Sequence, residues 1–224
     1  MGTQRLSKTN RLFWLGRYVE RVLDSIGYMD DVHDEALDGF EFDYEDFCNR
    51  LEVPCNYTST WDFLVHFFSD TNVPYSIASS MGYAFDNGVV LRGTISSQSL
   101  SYLQMSKNIM DGLAINSAPM LDMQTIVDYL LAFKGCVDES VIGDGRMIVK
   151  VGFSVERLDL MLRLDYGLEN LQREFDRLAS RLQRSRINRD GHRLLLLYTL
   201  LPSASDPENR KLMVECLENL FPDA

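Results

Sequence analysis

The sequence predicts an all-α protein, and three observations support this prediction. Apolar residues recur at helical spacing along nearly the whole chain. Segments in which apolar and polar residues alternate with a period of two, bounded by turn residues, are missing. Residues that typically begin or end helices, prolines above all, separate the periodic segments. Because no shift in composition marks a linker, we expect a multi-helix bundle that forms a single helical domain over residues 1–224.

The first long helix is predicted from about Lys8 to Asp34. Thr9 or Asn10 is the expected N-cap, because a short polar side chain there can accept a hydrogen bond from a free backbone N–H group. The apolar stripe of this helix contains Leu12, Leu15, Val19, Val22 and Ile26. An acidic connection broken by glycine follows.

Nine further helices are predicted after this connection. Two are short, and the second opens with a Ser/Thr cluster. Two of the longer helices have proline at the first helical position, where its missing N–H group carries no penalty. The predicted bounds are 44–51, 60–68, 75–93, 97–112, 119–141, 145–164, 168–185, 190–201 and 207–220.

Composition excludes several classes of protein. With 224 residues and 46% hydrophobic residues, the chain is not a disordered tail, and it is long enough to bury a core without disulfides. The longest apolar run, Leu194–Leu201, is far shorter than the roughly 18 residues that a membrane span needs. The four cysteines lack Cys-x-x-Cys spacing. We therefore expect a cytoplasmic protein with reduced thiols and no membrane segment.

No metal or cofactor is expected. Asp30-x-x-His33 has the spacing found on each of two helices in carboxylate-bridged metal bundles, but a second copy of this motif is absent. The chain also lacks the glycine-rich phosphate-binding loop that ends in Gly-Lys-Ser/Thr.

Charge is unevenly distributed along the chain. The segment from Asp24 to Asp46 has ten acidic residues and no Lys or Arg, whereas seven arginines lie between residues 173 and 193. Four of them share one helix face and are called the arginine stripe here: Arg173, Arg177, Arg181 and Arg184. This stripe is either a solvated helix face or a docking surface for an acidic partner or nucleic acid. The net charge of −11 does not favour general nucleic-acid binding.

A helix signature, Gly-x-x-Val-Glu-Arg, occurs twice at an offset of 136 residues. Gly16, Val19, Glu20 and Arg21 match Gly152, Val155, Glu156 and Arg157 within a shared apolar register. Glycine is a poor helix former, so both glycines indicate the close approach of another helix or a ligand.

The charged residues of this signature require partners, because an unpaired buried charge is very costly. Two such helices facing each other would place Glu20 and Glu156 near Arg157 and Arg21 in a reciprocal network. One interpretation is a set of buried ion pairs that fixes how the helices cross. The other is a polar pocket for an anionic or amino-acid-like ligand.

Three blocks of sequence resemble a known family. Residues 12–21 read Leu-Phe-Trp-Leu-Gly-Arg-Tyr-Val-Glu-Arg, residues 84–92 read Ala-Phe-Asp-Asn-Gly-Val-Val-Leu-Arg, and residues 152–159 repeat Glu-Arg and end in an aspartate. In this order they resemble the signature of alpha-E domain proteins, a bacterial all-helical family named for its Glu-Arg motif. Phe153 departs from the pattern, since the family usually has a basic residue there, and Asp86 stands in place of the usual glutamate.

The resemblance indicates one polar cluster between the long helices. Asn87 supports this expectation, because asparagine is unfavourable inside a helix unless its amide makes hydrogen bonds. The expected members of the cluster are Glu20, Arg21, Asn87, Arg92, Glu156, Arg157 and Asp159, with Arg17 and Asp86 given less weight.

The resemblance also implies a functional context. Alpha-E proteins occur beside circularly permuted ATP-grasp proteins and transglutaminase-like proteases, in systems associated with making and trimming peptide-like amide bonds. It therefore implies a helical accessory protein of an ATP-grasp-type ligase, with a transglutaminase-like protease as a second partner. We expect this protein to dock its partner or substrate through the polar cluster. Two alternatives stay open: an enzyme that acts on a peptide or amino-acid-like ligand with Glu20 or Glu156 as general acid or base, and a purely structural bundle. Self-association into a homo-oligomer also stays open.

Overall fold

A computed structural model describes residues 2–113 and 119–222. Within these ranges the chain forms ten α-helices and one 3₁₀ turn, and has no strand, so the all-α prediction is confirmed. The helices are α1 (Gly2–Leu37), α2 (Tyr44–Arg50), α3 (Thr60–Ser69), α4 (Ile77–Val90), α5 (Ser97–Leu113), α6 (Pro119–Ser140), α7 (Asp144–Arg163), α8 (Leu168–Arg184), α9 (Gly191–Leu200) and α10 (Pro207–Glu218), with the 3₁₀ turn at Leu201–Ser203.

All ten predicted helices are present, but the predicted start of the first one is wrong. Thr9 and Asn10 lie inside α1, which begins at Gly2. The residues before Thr9 include Gln4, Arg5 and Lys8, which all favour helix, so the helix continues past the predicted cap. Of the two prolines expected at helix starts, Pro207 begins α10 and Pro119 begins α6, whereas Ala118 lies outside the described residues.

Several other helices have a short polar residue as their N-cap. In each case the side-chain oxygen of the cap accepts a hydrogen bond from a backbone N–H group of the first turn, which satisfies a donor that has no partner within the helix. These caps are Asp43 for α2, Ser59 for α3, Ser76 for α4, Asp190 for α9 and Asp206 for α10.

The chain divides into two compact units. The first contains the start of the chain up to Glu20 together with the segment from Ile142 onward, and the second runs from Arg21 to Val141. Helix α1 therefore contributes residues to both units. Whether the units fold as one domain stays a prediction.

The core of the first unit is built around α7. Its buried side chains lie on all sides of the helix, so that Ile148, Val151, Phe153, Val155, Leu158 and Leu162 are shielded together with Glu156 and Asp159. Helix α8 covers one side with a regular apolar stripe, and Leu171, Phe175, Leu178 and Leu182 are all buried. A helix surrounded in this way must pair every charge that it carries.

The core of the second unit includes an aromatic cluster. Tyr28, Phe42, Phe47, Phe63 and Phe67 lie with ring centroids between 5.1 and 6.1 Å apart along the contacts that join them. Such rings supply large apolar area from few residues. Helices α4, α5 and α6 pack in sequence beside each other, α4 against α5 and α5 against α6. No helix in the described ranges is long and apolar enough to cross a membrane.

Candidate functional site

Helices α1 and α7 approach each other most closely at the two repeated glycines. A Cβ atom added to Gly16 would overlap the carbonyl oxygen of Val149 and lie 3.1 Å from the Cα atom of Gly152. A Cβ atom added to Gly152 would overlap the carbonyl oxygen of Phe13 and lie 3.1 Å from the Cα atom of Gly16. Backbone therefore meets backbone here, and the close approach predicted from the glycines is that of another helix.

These contacts are related by the sequence repeat. Phe13 and Val149 stand three residues before Gly16 and Gly152, so the offset of 136 residues maps each contact onto the other. The two copies of the signature thus face each other as a local pair, which is the arrangement that the repeat predicts.

The glutamates of both Glu-Arg motifs form ion pairs across this crossing. An Nη atom of Arg157 on α7 lies 2.5 Å from a carboxylate oxygen of Glu20 on α1. In the other direction, Nε of Arg17 donates to Glu156 at 2.6 Å. Both carboxylates are buried, with side-chain exposures of 2% for Glu20 and 0% for Glu156. The hydrogen bonds in both pairs are charge-assisted, and little water competes for the two buried carboxylates.

The ion pair of Glu156 continues into a chain of alternating charges. Arg17 also donates through Nη2 to Asp159 at 3.1 Å, and the second carboxylate oxygen of Asp159 accepts from Nε of Arg163 at 3.0 Å. Arg163 in turn donates to Glu218 of α10 at 2.5 Å. The charges of this chain, which is buried except at Glu218, are therefore compensated step by step from α1 through α7 to α10.

A second polar network joins α7 to α8. The hydroxyl of Ser154 donates to the buried carboxylate of Glu174 at 2.6 Å and accepts from Nη1 of Arg181 at 2.6 Å. The same nitrogen donates to the carbonyl oxygen of Lys150 at 2.7 Å. Burial lowers the pKa of Arg181, and the charges of Glu174 and Glu20 oppose this shift. Arg181 is thus a second cation in the electrostatic environment of Glu20.

The segment that contains these networks matches a known family over most of its length. Residues 6–183 match the profile of Alpha-E, described as a predicted alpha-helical domain with a conserved ER motif. The chain belongs to the Alpha-E family. Searches of curated proteins and of solved structures find no match.

The two repeat copies in this Alpha-E crossing differ in charge at the position after the glycine. Arg17 corresponds to Phe153 under the repeat, and Phe153 is buried and apolar. The guanidinium of Arg17 lies 4.8 Å from the ring centroid of Trp14, which adds a cation–π contact to its two ion pairs. Because Phe153 cannot carry a charge, the position of α7 that corresponds to Arg17 supplies no cation for Glu20. Arg157 pairs with Glu20, and the charge of Arg181 on α8 acts on it as well.

The remaining members of the predicted cluster lie in the second unit. The guanidinium of Arg21 lies 4.0 Å from the ring centroid of Tyr75. Asn87 is half-buried on α4, whereas Asp86 and Arg92 are exposed, and Arg92 donates to the carbonyl oxygen of Val89. A single cluster that unites these residues with Glu20 and Glu156 stays a prediction.

The arginine stripe on α8 is not uniform. Arg173, Arg177 and Arg184 are exposed, but Arg181 is half-buried and bonded to α7. Arg177 pairs with the buried Glu174 at 2.5 Å. Arg181 therefore serves the packing of α8 on α7, and the exposed part of the stripe consists of three residues. A docking role for these three stays a prediction.

Four residues of these networks were not predicted from the sequence: Ser154, Arg163, Glu174 and Glu218. Arg163 follows Asp159 by four residues on one helix, which is the spacing of a helical ion pair and was a usable signal. Ser154 and Glu174 lie 20 residues apart on different helices, and Glu218 is 55 residues from Arg163. No local spacing indicates contacts of this kind.

The burial of Glu20 and Glu156 limits the reactions in which they could take part. A general acid or base must come within hydrogen-bond reach of the substrate, about 2.6–3.2 Å or one water away. Glu20 and Glu156 are covered by helices and engaged by arginines, so this geometry favours pairing over proton transfer. In the part of the chain that the structure describes, no group of three or more His, Cys, Asp or Glu side chains is placed to hold a metal ion.

Proposed function

We propose that this Alpha-E chain is a non-catalytic helical accessory protein that docks to an ATP-grasp-type amide ligase in the cytoplasm. In this proposal the Glu-Arg motifs lock α1 to α7 and give the first unit a rigid shape. The docking surface is the exposed part of the arginine stripe. The observation that carries the proposal is the burial of both motif glutamates under arginine partners.

The burial of the two motif glutamates favours a structural role, because it is costly to take charges out of water. A carboxylate buried without a partner would be very unfavourable, and a buried pair is destabilised strongly when one member is lost. The pairs Glu20–Arg157 and Arg17–Glu156 join α1 to α7 at the point where Gly16 and Gly152 already bring the backbones together. Such an arrangement favours one crossing of the helices and leaves the glutamates poorly suited to reach a substrate.

The docking half of the proposal has two supports. Arg173, Arg177 and Arg184 present positive charge on one helix of a chain whose net charge is −11, so an acidic patch on a partner would find a distinct complementary surface. The choice of an ATP-grasp-type ligase rests on the resemblance to the alpha-E family and its associated proteins. A transglutaminase-like protease is the second partner that this association suggests.

Affinity purification from the native cells, followed by mass spectrometry, tests the proposal. The variant Arg173→Glu, Arg184→Glu reverses charge on the stripe without touching a buried ion pair of the first unit. The matched control is Lys8→Glu, Lys211→Glu, which makes the same change in net charge at two exposed sites on α1 and α10. Melting curves establish that both proteins fold.

We expect the wild type and the lysine control to recover an ATP-grasp protein, and the arginine variant to lose most of it. Equal recovery with the arginine variant would reject the stripe as the docking surface. Recovery of no ligase with the wild type would reject the accessory function itself.

A further inference from the structure

Two of the four cysteines lie together where α2 ends. Cys48 is buried in the last turns of α2, and Cys55 is exposed in the connection that leads to α3. Between them the chain turns back on itself: Glu52 has a left-handed backbone with φ of 57°, and the backbone N–H of Val53 donates to the carbonyl oxygen of Cys48 at 3.0 Å. The turn thus brings the backbone of Val53, two residues before Cys55, back to the backbone of Cys48.

The two side chains are neighbours across this turn. Burial above all, with a smaller contribution from the neighbouring Cys55 side chain, raises the pKa of Cys48 to about 12, so Cys48 is a neutral thiol near pH 7. Cys55 is the member of the pair that an oxidant in solution can reach.

We propose that Cys48 and Cys55 form a reversible intramolecular disulfide when a peroxide oxidises the exposed Cys55. Neither the Alpha-E family nor the ligase partnership requires this site, so the inference stands apart from the proposed function. The adjacent buried and exposed sulfurs correspond to a resolving and a reacting cysteine.

The reaction balances with hydrogen peroxide as the oxidant. The thiolate of Cys55 attacks one peroxide oxygen, the O–O bond breaks, and the leaving hydroxide takes up a proton to become water, which leaves a sulfenic acid on Cys55. The sulfur of Cys48 then attacks the sulfenic sulfur, an S–S bond forms, and the proton of Cys48 leaves with the sulfenic hydroxyl as a second water. Both cysteine sulfurs are oxidised and the peroxide is reduced. A dithiol reverses the step by thiol–disulfide exchange.

The bond would tie α2 to the start of the α2–α3 connection. Phe47, next to Cys48, packs against Phe63 of α3 with ring centroids 5.2 Å apart. Closing a short loop beside this contact restrains how α2 and α3 can separate. The oxidised chain should therefore lose amide protons to exchange more slowly in α2 than the reduced chain does.

Peptide mapping tests the proposal directly. The full-length protein is treated with hydrogen peroxide, its remaining thiols are alkylated, and it is digested with trypsin without reduction. Because Arg50 lies between the two cysteines, and no other Lys or Arg occurs from Val22 to Leu91, Cys48 and Cys55 fall in the peptides 22–50 and 51–92. We expect these two peptides to appear joined, lighter than their sum by two hydrogen atoms, and to separate after treatment with dithiothreitol.

Two variants make the result specific. Cys55→Ser should abolish the joined species, and since Cys55 is exposed this variant should fold. Cys136→Ser, on α6, should keep the joined species at the wild-type level. A wild-type protein in which Cys55 is oxidised to sulfinic acid while Cys48 is still alkylated would overturn the proposal. So would a disulfide between the Cys55 residues of two chains, seen as a dimer on non-reducing gels.

Discussion

The two Glu-Arg helices use the same backbone contact but different charge partners. At the crossing, Gly16 meets the backbone of α7 just as Gly152 meets the backbone of α1. Glu156 pairs with Arg17, whose side chain is 7% exposed, whereas Glu20 pairs with Arg157, whose side chain is 29% exposed. The glycines therefore determine where the helices touch, whereas the charge pairs come from different repeat positions: Arg17, which matches Phe153, pairs with Glu156 and is more buried than Arg157, the partner of Glu20.

The largest expected effect comes from adding a methyl group at the crossing. In Gly152→Ala the new Cβ atom would overlap the carbonyl oxygen of Phe13, and backbone cannot move aside as a flexible side chain can. We expect a loss of at least about 3 kcal/mol in the free energy of unfolding, measured by urea denaturation. Because Gly16 makes the equivalent contact with the backbone of α7, Gly16→Ala should lower the free energy of unfolding by a similar amount.

The matched control is Gly27→Ala, in the same helix as Gly16. A Cβ atom added at Gly27 has no neighbour within 4 Å, so this change should stabilise the protein by up to about 1 kcal/mol through helix propensity. If Gly152→Ala left the free energy of unfolding unchanged, it would contradict the claim that the glycines determine the contact.

The next effect is expected at the more deeply buried pair. Glu156→Gln keeps the shape of the side chain but removes the charge that Arg17 faces at 2.6 Å. Removing one member of a buried pair costs about 3 kcal/mol or more, because the other charge is left without full compensation. Asp159 still faces Arg17, so we expect a smaller loss than this, about 2–3 kcal/mol, seen as a lower urea midpoint.

Glu20→Gln should cost less than Glu156→Gln. Arg157, the partner of Glu20, retains partial access to water and can be solvated when the carboxylate is lost. We expect a loss of about 1–2 kcal/mol in the same urea titration. Equal losses at the two glutamates would show that Phe153 does not distinguish the two halves of the crossing.

The smallest effect is expected at Arg181. Arg181→Lys keeps the positive charge but loses the two hydrogen bonds that Nη1 donates to Ser154 and to the carbonyl oxygen of Lys150. The expected loss is about 1 kcal/mol. Because the variant retains the charge that acts on Glu20, its effect should be additive both with Glu20→Gln and with Glu156→Gln, as measured by double-mutant cycles.

Most of the fold could be predicted from the sequence because helices are encoded locally. The apolar spacing and the Ser, Asp and Pro residues at helix starts predict all ten helices, with bounds that fall close to the observed ones. The exception, the start of α1, shows the limit of this reasoning. A polar residue such as Thr9 is a cap only if the residues before it disfavour helix.

The candidate site could be predicted in part. The repeat indicated the crossing at Gly16 and Gly152 and the pair Glu20–Arg157, because equivalent positions on two facing helices meet each other. The importance of Arg17 was underestimated because it occupies a variable position of the signature. The role of Arg181 depends on how α8 packs on α7, and neither helix alone encodes that placement.

The measurement that tests the lock most directly is a double-mutant cycle on Arg17 and Glu156. Urea denaturation of the wild type, Arg17→Met, Glu156→Gln and the combined variant yields the coupling energy between the two side chains across the helix crossing. A buried ion pair that holds α1 to α7 predicts a favourable coupling of at least about 1.5 kcal/mol, with the combined variant clearly more stable than the sum of the single losses implies. Additive losses, with a coupling below about 0.5 kcal/mol, would contradict the account, because Glu156 and Arg17 would then not hold the two helices together.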